Sequence, residues 1–187
     1  MRLFVALDLT QEIREALREP IARLKPLSKS ARWTQPDGMH VTLKFIGHVE
    51  ADKLDAIRAA LATVCSDAPV EMHVRGVGFF PDDRRPRVVW CGIEASANLA
   101  PLAAEMERAL EPLGIAREER KFTPHLTLAR LKDFHGVGKL VRAAEEMKSR
   151  DFGSVRDTEF HLFESLTKPS GAEHKKIESY RFVKGAA

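Results

Sequence analysis

The sequence HLTLAR at residues 125–130 repeats, with few changes, the sequence HVTLKF at residues 40–45. Both read as β-strands, in which alternate residues share a face. His125 and Thr127 then point the same way, while the leucines of the same strand point towards a core. A strand that buries its leucines does not need a histidine and a threonine together on its other face, so this pair calls for a functional explanation.

The two HxTL motifs start 85 residues apart (125 − 40). At this chain's His, Thr and Leu content, two chance occurrences are expected in on the order of 0.1% of such sequences. Each motif follows a helix-like segment and a turn-rich or charged loop. The repetition therefore indicates an internal duplication, with two similar halves that each contribute one strand to a shared centre.

Histidine titrates near neutral pH, so a pair of histidines can contain one neutral and one protonated ring at the same pH. Of the pair His40 and His125, one accepts a proton from water while the other donates one to a leaving oxygen. Thr42 and Thr127, on the same faces, could donate hydrogen bonds to non-bridging phosphate oxygens, which gain charge in the transition state. The pattern thus favours cleavage of a phosphodiester without a metal.

Three residues beside the motifs are assigned to faces by alternation alone. Lys44 shares the parity of His40 and is expected to add a positive charge to the site. Phe45 shares the parity of the leucines and is expected in the core. Arg130 falls opposite His125, and only a β-bulge or the end of the strand would bring it into the site, so it ranks as a secondary phosphate-binding candidate.

Length and composition bound the class of protein. The 187 residues fit one domain, or two small lobes sharing a core, and 44% of them are hydrophobic. A formal charge of +3 suits an anionic ligand without requiring one. Cys65 and Cys91 lie in or beside apolar segments and read as buried free thiols. With no signal-peptide pattern and no apolar run of about 20 residues, we expect a cytoplasmic protein without a membrane span.

The pattern of elements favours an α+β fold with antiparallel sheets, in which helices separate groups of strands and hairpins lie within them. Residues 1–187 are expected to form a single domain of two similar lobes. The predicted strands cover 2–9, 40–47, 70–80, 88–95, 125–130, 154–166 and 175–183. The first predicted helix has Thr10 as its N-cap and ends near residue 24, and the others cover 51–64, 97–114 and 139–148. Residues 28–39 are predicted to be a loop.

Two longer segments carry a resemblance to a known family. WTQPDGMHVTLKFIG (33–47) and KFTPHLTLAR (121–130) are similar to the two signature segments of the two-histidine phosphoesterases. More narrowly, they resemble the bacterial and archaeal RNA 2′,3′-cyclic phosphodiesterases, once called 2′-5′ RNA ligases. The segments at 2–9, 79–94 and 162–171 are also similar to that family, so the resemblance covers nearly the whole chain.

The resemblance implies a bilobal fold with pseudo-twofold symmetry, in which the two motifs face each other across a central groove and the helices lie outside. It implies hydrolysis of 2′,3′-cyclic phosphate ends to 2′-phosphomonoesters with no cofactor. Carried over by position, His40 would protonate the leaving 3′ oxygen, His125 would activate water, and Thr42 and Thr127 would hold the phosphate. His48 departs from the acidic residue expected after FIG, but it lies outside the motif.

Two other functions stay open on the sequence. The same acid and base serve the reverse reaction, which joins a cyclic phosphate end to a 5′-hydroxyl, although water at about 55 M favours hydrolysis. A nucleotide- or RNA-binding module without turnover is the alternative from another class, but binding alone does not need an acid–base pair. The expected partners are RNA ends or small molecules bearing a 2′,3′-cyclic phosphate, and a monomer is expected.

The remaining candidates have weaker patterns. No histidine or cysteine cluster has the spacing of zinc ligands, so no metal site is predicted. Trp33 and Trp90 read as core rather than as base-stacking platforms. Arg32 and Lys121 lie near the motifs and are candidates for RNA backbone contact. Basic residues in a loop, Arg84, Arg85 and Arg87, are weaker candidates, and surface or locally bonded positions are expected for His73, His135, His161 and His174.

Overall fold

A computed structural model of the chain describes residues 1–133, 135–168 and 171–183. The fold is α+β, as predicted. The strands are β1 (Arg2–Leu7), β2 (Ala31–Trp33), β3 (Val41–His48), β4 (Val70–Phe80), β5 (Val88–Ala95), β6 (His125–Leu131), β7 (Asp151–Asp157), β8 (Glu159–Lys168) and β9 (Gly171–Arg181). The α-helices are α1 (Gln11–Leu24), α2 (Leu54–Leu61), α3 (Leu99–Leu110) and α4 (Gly138–Glu145).

The described strands form two antiparallel sheets. One has four strands in the order β3-β1-β8-β9, and the other has five in the order β2-β6-β5-β4-β7. Each sheet carries one motif strand, β3 or β6. The sheets are not sequential halves of the chain, however, because β8 and β9 complete the sheet begun by β1 and β3, while β2 joins the sheet of the second motif.

The helices pack on one face of each sheet. Thr10 caps α1, as predicted, with its Oγ accepting from the Ile13 N–H at 3.4 Å, and Leu17 and Leu24 are fully buried. Helices α1 and α4 pack on the five-stranded sheet, while α3 packs on β3 and against α2. None of the helices in the described part of the chain is long and apolar enough to cross a membrane.

The opposite face of the four-stranded sheet has its own small apolar cluster. Phe4, Ala6 and Phe163 form it, separate from the main core that holds Leu3, Val5 and the rest of the buried residues. Strand β1 is therefore buried on both faces, as its continuous apolar sequence predicts.

Three predicted elements had wrong boundaries. Strand β2 lies inside the predicted loop 28–39, because a three-residue edge strand offers too few positions for an alternating pattern. The predicted strand 154–166 is two strands, since β7 pairs with β4 in one sheet while β8 pairs with β1 in the other. A bend at Thr158 separates them. The predicted helix 51–64 is a 3-10 turn at Ala51–Lys53 followed by the shorter α2.

Candidate active site

Both motif strands contain the same irregularity at the same place. Along β3, Thr42 lies opposite Ala6 and Lys44 lies opposite Val5, so Leu43 is an extra residue. Along β6, Thr127 lies opposite Trp90 and Ala129 lies opposite Val89, so Leu128 is an extra residue 85 positions later. An extra residue reverses the alternation of every side chain that follows it in the strand.

In the first motif the bulge moves Lys44 to the core and Phe45 to the surface. Lys44 is 3% exposed, and its ammonium donates to Glu107 at 2.5 Å and to the Ala116 carbonyl at 2.6 Å. Phe45 is 59% exposed and its ring lies 6.2 Å from that of Phe4. The predictions that Lys44 adds charge to the site and that Phe45 is core were therefore both wrong.

In the second motif the bulge brings Arg130 to the face that carries Thr127. Arg130 lies opposite Val88, and Thr127 lies opposite Trp90, two residues further along β5. Directly opposite residues share a face, and β5 alternates regularly between these two positions. Arg130 is consequently exposed on the same face as Thr127, through a β-bulge, which was one of the two conditions expected from the sequence.

The two motif histidines are held in the same way. Nδ1 of His40 lies 3.1 Å from the Gly38 carbonyl oxygen, and Nδ1 of His125 lies 2.8 Å from that of Thr123. A carbonyl only accepts hydrogen bonds, so Nδ1 must carry a proton in both rings. In each ring Nε2 is then the atom that gains or loses a proton, which is the arrangement an acid–base pair requires.

His40 is enclosed by aromatic rings. Phe4 stacks on its face at 4.5 Å between centroids, and His174 meets it edge-on at 4.8 Å. Burial, and then the charge of His174, lower the pKa of His40 to about 4, although the Gly38 carbonyl and the carboxylate of Asp8 act in the opposite direction. His174 was expected at the surface or locally bonded; its contact with His40 spans 134 residues (174 − 40) and leaves no sequence signal.

The aromatic contacts of His125 differ from those of His40. The Phe80 ring meets it edge-on at 5.0 Å and also contacts Trp90 at 5.1 Å. The Trp90 indole lies against Gly78 and Gly92, and a Cβ at Gly78 would collide with the ring. Trp90 is half-buried on the same face as Thr127, so the prediction that it belongs to the core was wrong.

The two motifs are close to each other because β3 and β6 are in contact. The N–H of Thr34 donates to the carbonyl of Leu128, the bulge residue of β6, at 2.8 Å and so ties the segment before His40 to the second motif. Arg14, paired with Asp8, donates to the carbonyls of Pro36 and Met39. This buried arginine, absent from the predicted site, fixes the turn that leads into His40.

Thr42 and Thr127 are half-buried on the faces that carry the histidines. Neither hydroxyl is hydrogen-bonded to another residue within the described part of the chain. In the loop between β4 and β5, Arg84 and Arg85 are exposed, and the Arg87 guanidinium donates to the Lys132 carbonyl at 2.9 Å. Of the other histidines, His161 is buried against the Ser179 hydroxyl and His73 pairs with Asp151.

Comparison with known proteins shows which family has this arrangement of motifs. The family model described as "LigT like Phosphoesterase" matches residues 7–90 and 93–172, two stretches that contain one HxTL motif each. The chain belongs to the family of LigT-like phosphoesterases. The resemblance read from the two signature segments is thereby confirmed.

Full-length relatives of this LigT-like phosphoesterase share one name. Proteins of Methanothermobacter thermautotrophicus (33% identical, covering 97% of this chain and 98% of the relative) and Archaeoglobus fulgidus (34%, 96% and 99%) are both named RNA 2′,3′-cyclic phosphodiesterase. Among solved structures, a Thermus thermophilus protein aligns with TM-score 0.80, 28% identity and coverage of 97% and 98%. Escherichia coli LigT complexed with 3′-AMP aligns with TM-score 0.78, 25% identity and 98% coverage of both chains.

Proposed function

We propose that this protein hydrolyses RNA 2′,3′-cyclic phosphate ends to 2′-phosphomonoesters without a metal. The observation that carries the proposal is the pair of equivalent histidines, each anchored through Nδ1 to a backbone carbonyl and each followed by a threonine on the same face. Relatives over nearly the full length are named for this activity.

The proposed reaction is an in-line displacement at phosphorus. Water attacks the phosphorus atom as it gives a proton to Nε2 of His125, and the bond from phosphorus to the 3′ oxygen breaks as that oxygen takes the proton from Nε2 of His40. The hydroxyls of Thr42 and Thr127 donate to the non-bridging oxygens, and the Arg130 guanidinium offsets the charge that these oxygens gain. The product keeps its phosphate on the 2′ oxygen.

His40 acts as an acid only when the substrate is bound. With a pKa of about 4 it is neutral at pH 7 in the free protein. A phosphate anion bound beside it favours the charged ring and raises that pKa. The histidine roles are tested with a nucleoside 4-nitrophenyl phosphodiester that lacks a 2′-hydroxyl, because 4-nitrophenolate leaves without protonation. His40→Ala should then keep much more of its activity than His125→Ala; the opposite order would exchange the two roles.

The function is tested with an RNA oligomer ending in a 2′,3′-cyclic phosphate, incubated with purified protein in EDTA. The expected product is a 2′-phosphate, and His40→Ala and His125→Ala should each reduce turnover about 100-fold or more while RNA binding changes much less. Binding without turnover by the wild type would instead support a binding module. A ligated product in the presence of a 5′-hydroxyl RNA would support the reverse reaction.

We also infer that residues 1–187 act as one catalytic domain, as a monomer, in the cytoplasm. Cys65 and Cys91 are both free thiols, which suits a reducing compartment. Gel filtration with light scattering checks the monomer, since a dimer would double the measured mass.

A further inference from the structure

Arg32 and Arg130 lie directly opposite each other in the five-stranded sheet. The register of the antiparallel pair β2–β6 sets Ala31 against Leu131, Arg32 against Arg130, and Trp33 against Ala129. Directly opposite residues share a face of the sheet. Since Arg130 is on the face of His125 and Thr127, Arg32 is on that face as well, one strand further out.

Both guanidiniums are exposed and, among the described residues, lack a compensating carboxylate. Arg32 and Arg130 are exposed residues, and within the described part of the chain neither takes part in an ion pair. Other arginines on the surface do, such as Arg108 with Glu105 at 2.6 Å and Arg117 with Glu111 at 2.6 Å. Exposed Arg84 and Arg85 also lack an ion pair within the described residues, but they lie in a loop. Arg32 and Arg130 are set apart because they lie directly opposite each other on adjacent strands, on the face of Thr127.

Two like charges directly opposite each other on adjacent strands destabilise a sheet. An anion between or across them removes this cost and adds charge-assisted hydrogen bonds, for which the fork of arginine and the oxygens of a phosphate are well matched. Arg130 lies on the face of Thr127, where the proposed mechanism puts the reacting phosphate. Arg32, on the edge strand, is placed for a second anion rather than for the same one.

We propose that Arg32 binds the RNA phosphate next to the reacting cyclic phosphate, on its 5′ side, while Arg130 contacts the cyclic phosphate itself. This inference rests on the proposed function and adds a substrate class to it. The site distinguishes nucleotides that carry a second phosphate, such as RNA ends, from a nucleoside 2′,3′-cyclic phosphate that ends in a 5′-hydroxyl. Arg32 acts on substrate binding, not on the proton transfers.

The test compares two probes that differ by one phosphate: adenosine 2′,3′-cyclic phosphate and its 5′-phosphorylated form. We expect the wild type to have a kcat/KM about 10-fold or more higher for the 5′-phosphorylated probe, mainly through a lower KM. In Arg32→Gln the ratio of the two kcat/KM values should fall towards one. For the 5′-phosphorylated probe, the slope of log KM against log salt concentration should decrease by about one in this variant, because one phosphate contact is lost.

Arg108→Gln is the matched control, because it also removes one exposed positive charge but from helix α3, and it should leave the ratio of the two probes at the wild-type value. The inference is overturned if the ratio is unchanged in Arg32→Gln or if the wild type shows no preference between the probes. If the wild type turns over neither probe, nor an RNA end, the proposed function itself fails, so the two failures are distinguishable.

Discussion

Phe45 and Arg130 occupy equivalent positions in the two motif strands, 85 residues apart and each two residues after the bulge leucine. Both are exposed on the histidine-bearing faces. One half of the candidate site therefore presents an apolar ring beside Phe4, and the other presents a cation. The duplicated halves keep the same histidine and threonine but differ in charge at this exposed position.

Arg130 should matter for the reaction in a way that a remote arginine does not. Removing its charge leaves the phosphate oxygens without a cation as their negative charge grows, so Arg130→Gln should lower kcat/KM about 100-fold. Steady-state kinetics on an RNA cyclic phosphate end measure this, with Arg108→Gln as the control. A loss below about threefold in Arg130→Gln would mean that the guanidinium does not contact the phosphate.

The Lys44–Glu107 pair should contribute to stability and not to turnover. The side chains of Lys44 and Glu107 are 2% and 18% exposed, so Glu107→Ala leaves a buried ammonium without its counter-ion and should cost about 3–5 kcal/mol. Lys44→Met removes the charge itself and should cost less. Urea unfolding measures both changes. If Lys44→Met were folded but inactive, the lysine would reach the substrate after all.

The pH dependence of kcat/KM should have its acid limb near pH 4. The reaction needs one neutral ring of the pair to accept a proton from water, and the pair cannot become fully protonated until His40 is protonated. Burial holds the pKa of His40 at about 4, so this happens only near that pH. The rate constant should fall about tenfold per pH unit there, whichever histidine is the base. Circular dichroism at each pH separates this limb from acid unfolding. A limb well above pH 5 in a folded protein would contradict the enclosed position of His40.

His174 should influence His40 through its charge and through its packing. His174→Phe keeps an aromatic edge against His40 but removes a charge that opposes protonation, so the pKa of His40 should rise. His174→Ala also admits solvent and should raise it further, because burial is the larger cause. NMR titration of the His40 ring measures both. An unchanged pKa in both variants would show that the edge-on contact is absent in solution.

Asp157 should make the protein less stable at neutral pH than at acid pH. Burial, together with the charges of Asp8 and Glu159, raises its pKa to about 7, and its Oδ2 is buried without a hydrogen-bond partner in the described residues. A raised pKa in the folded state means that stability falls as pH rises from about 4 to 7.

The variant Asp157→Asn removes that ionisation. It should raise the free energy of unfolding at pH 8 by about 1–2 kcal/mol, after allowance for the solvent that reaches this partly exposed carboxyl, and by much less at pH 4. Urea unfolding at both pH values gives the comparison. An equal effect at the two pH values would attribute the change to packing rather than to ionisation.

Much of the fold was predictable, because β1 and the two motif strands have strong apolar patterns and α1 has a capping threonine with apolar residues at helical spacing. The histidines and threonines of the site were predictable from repetition. The bulges were not, since Leu43 and Leu128 fit ordinary alternation and only pairing with β1 and β5 makes them extra residues. That one feature explains why Lys44 and Phe45 were misplaced. His174 and Arg14 act across long sequence separations that no local pattern records.

The four-stranded sheet joins strands from the two extremes of the described chain. Strand β1 lies between β3 and β8, so during synthesis one of its edges stays unpaired until more than 150 further residues have been made. The ring of His174, on β9, closes around His40 later still. A ribosome-bound nascent chain would thus contain both HxTL motifs well before the pocket around His40 is complete.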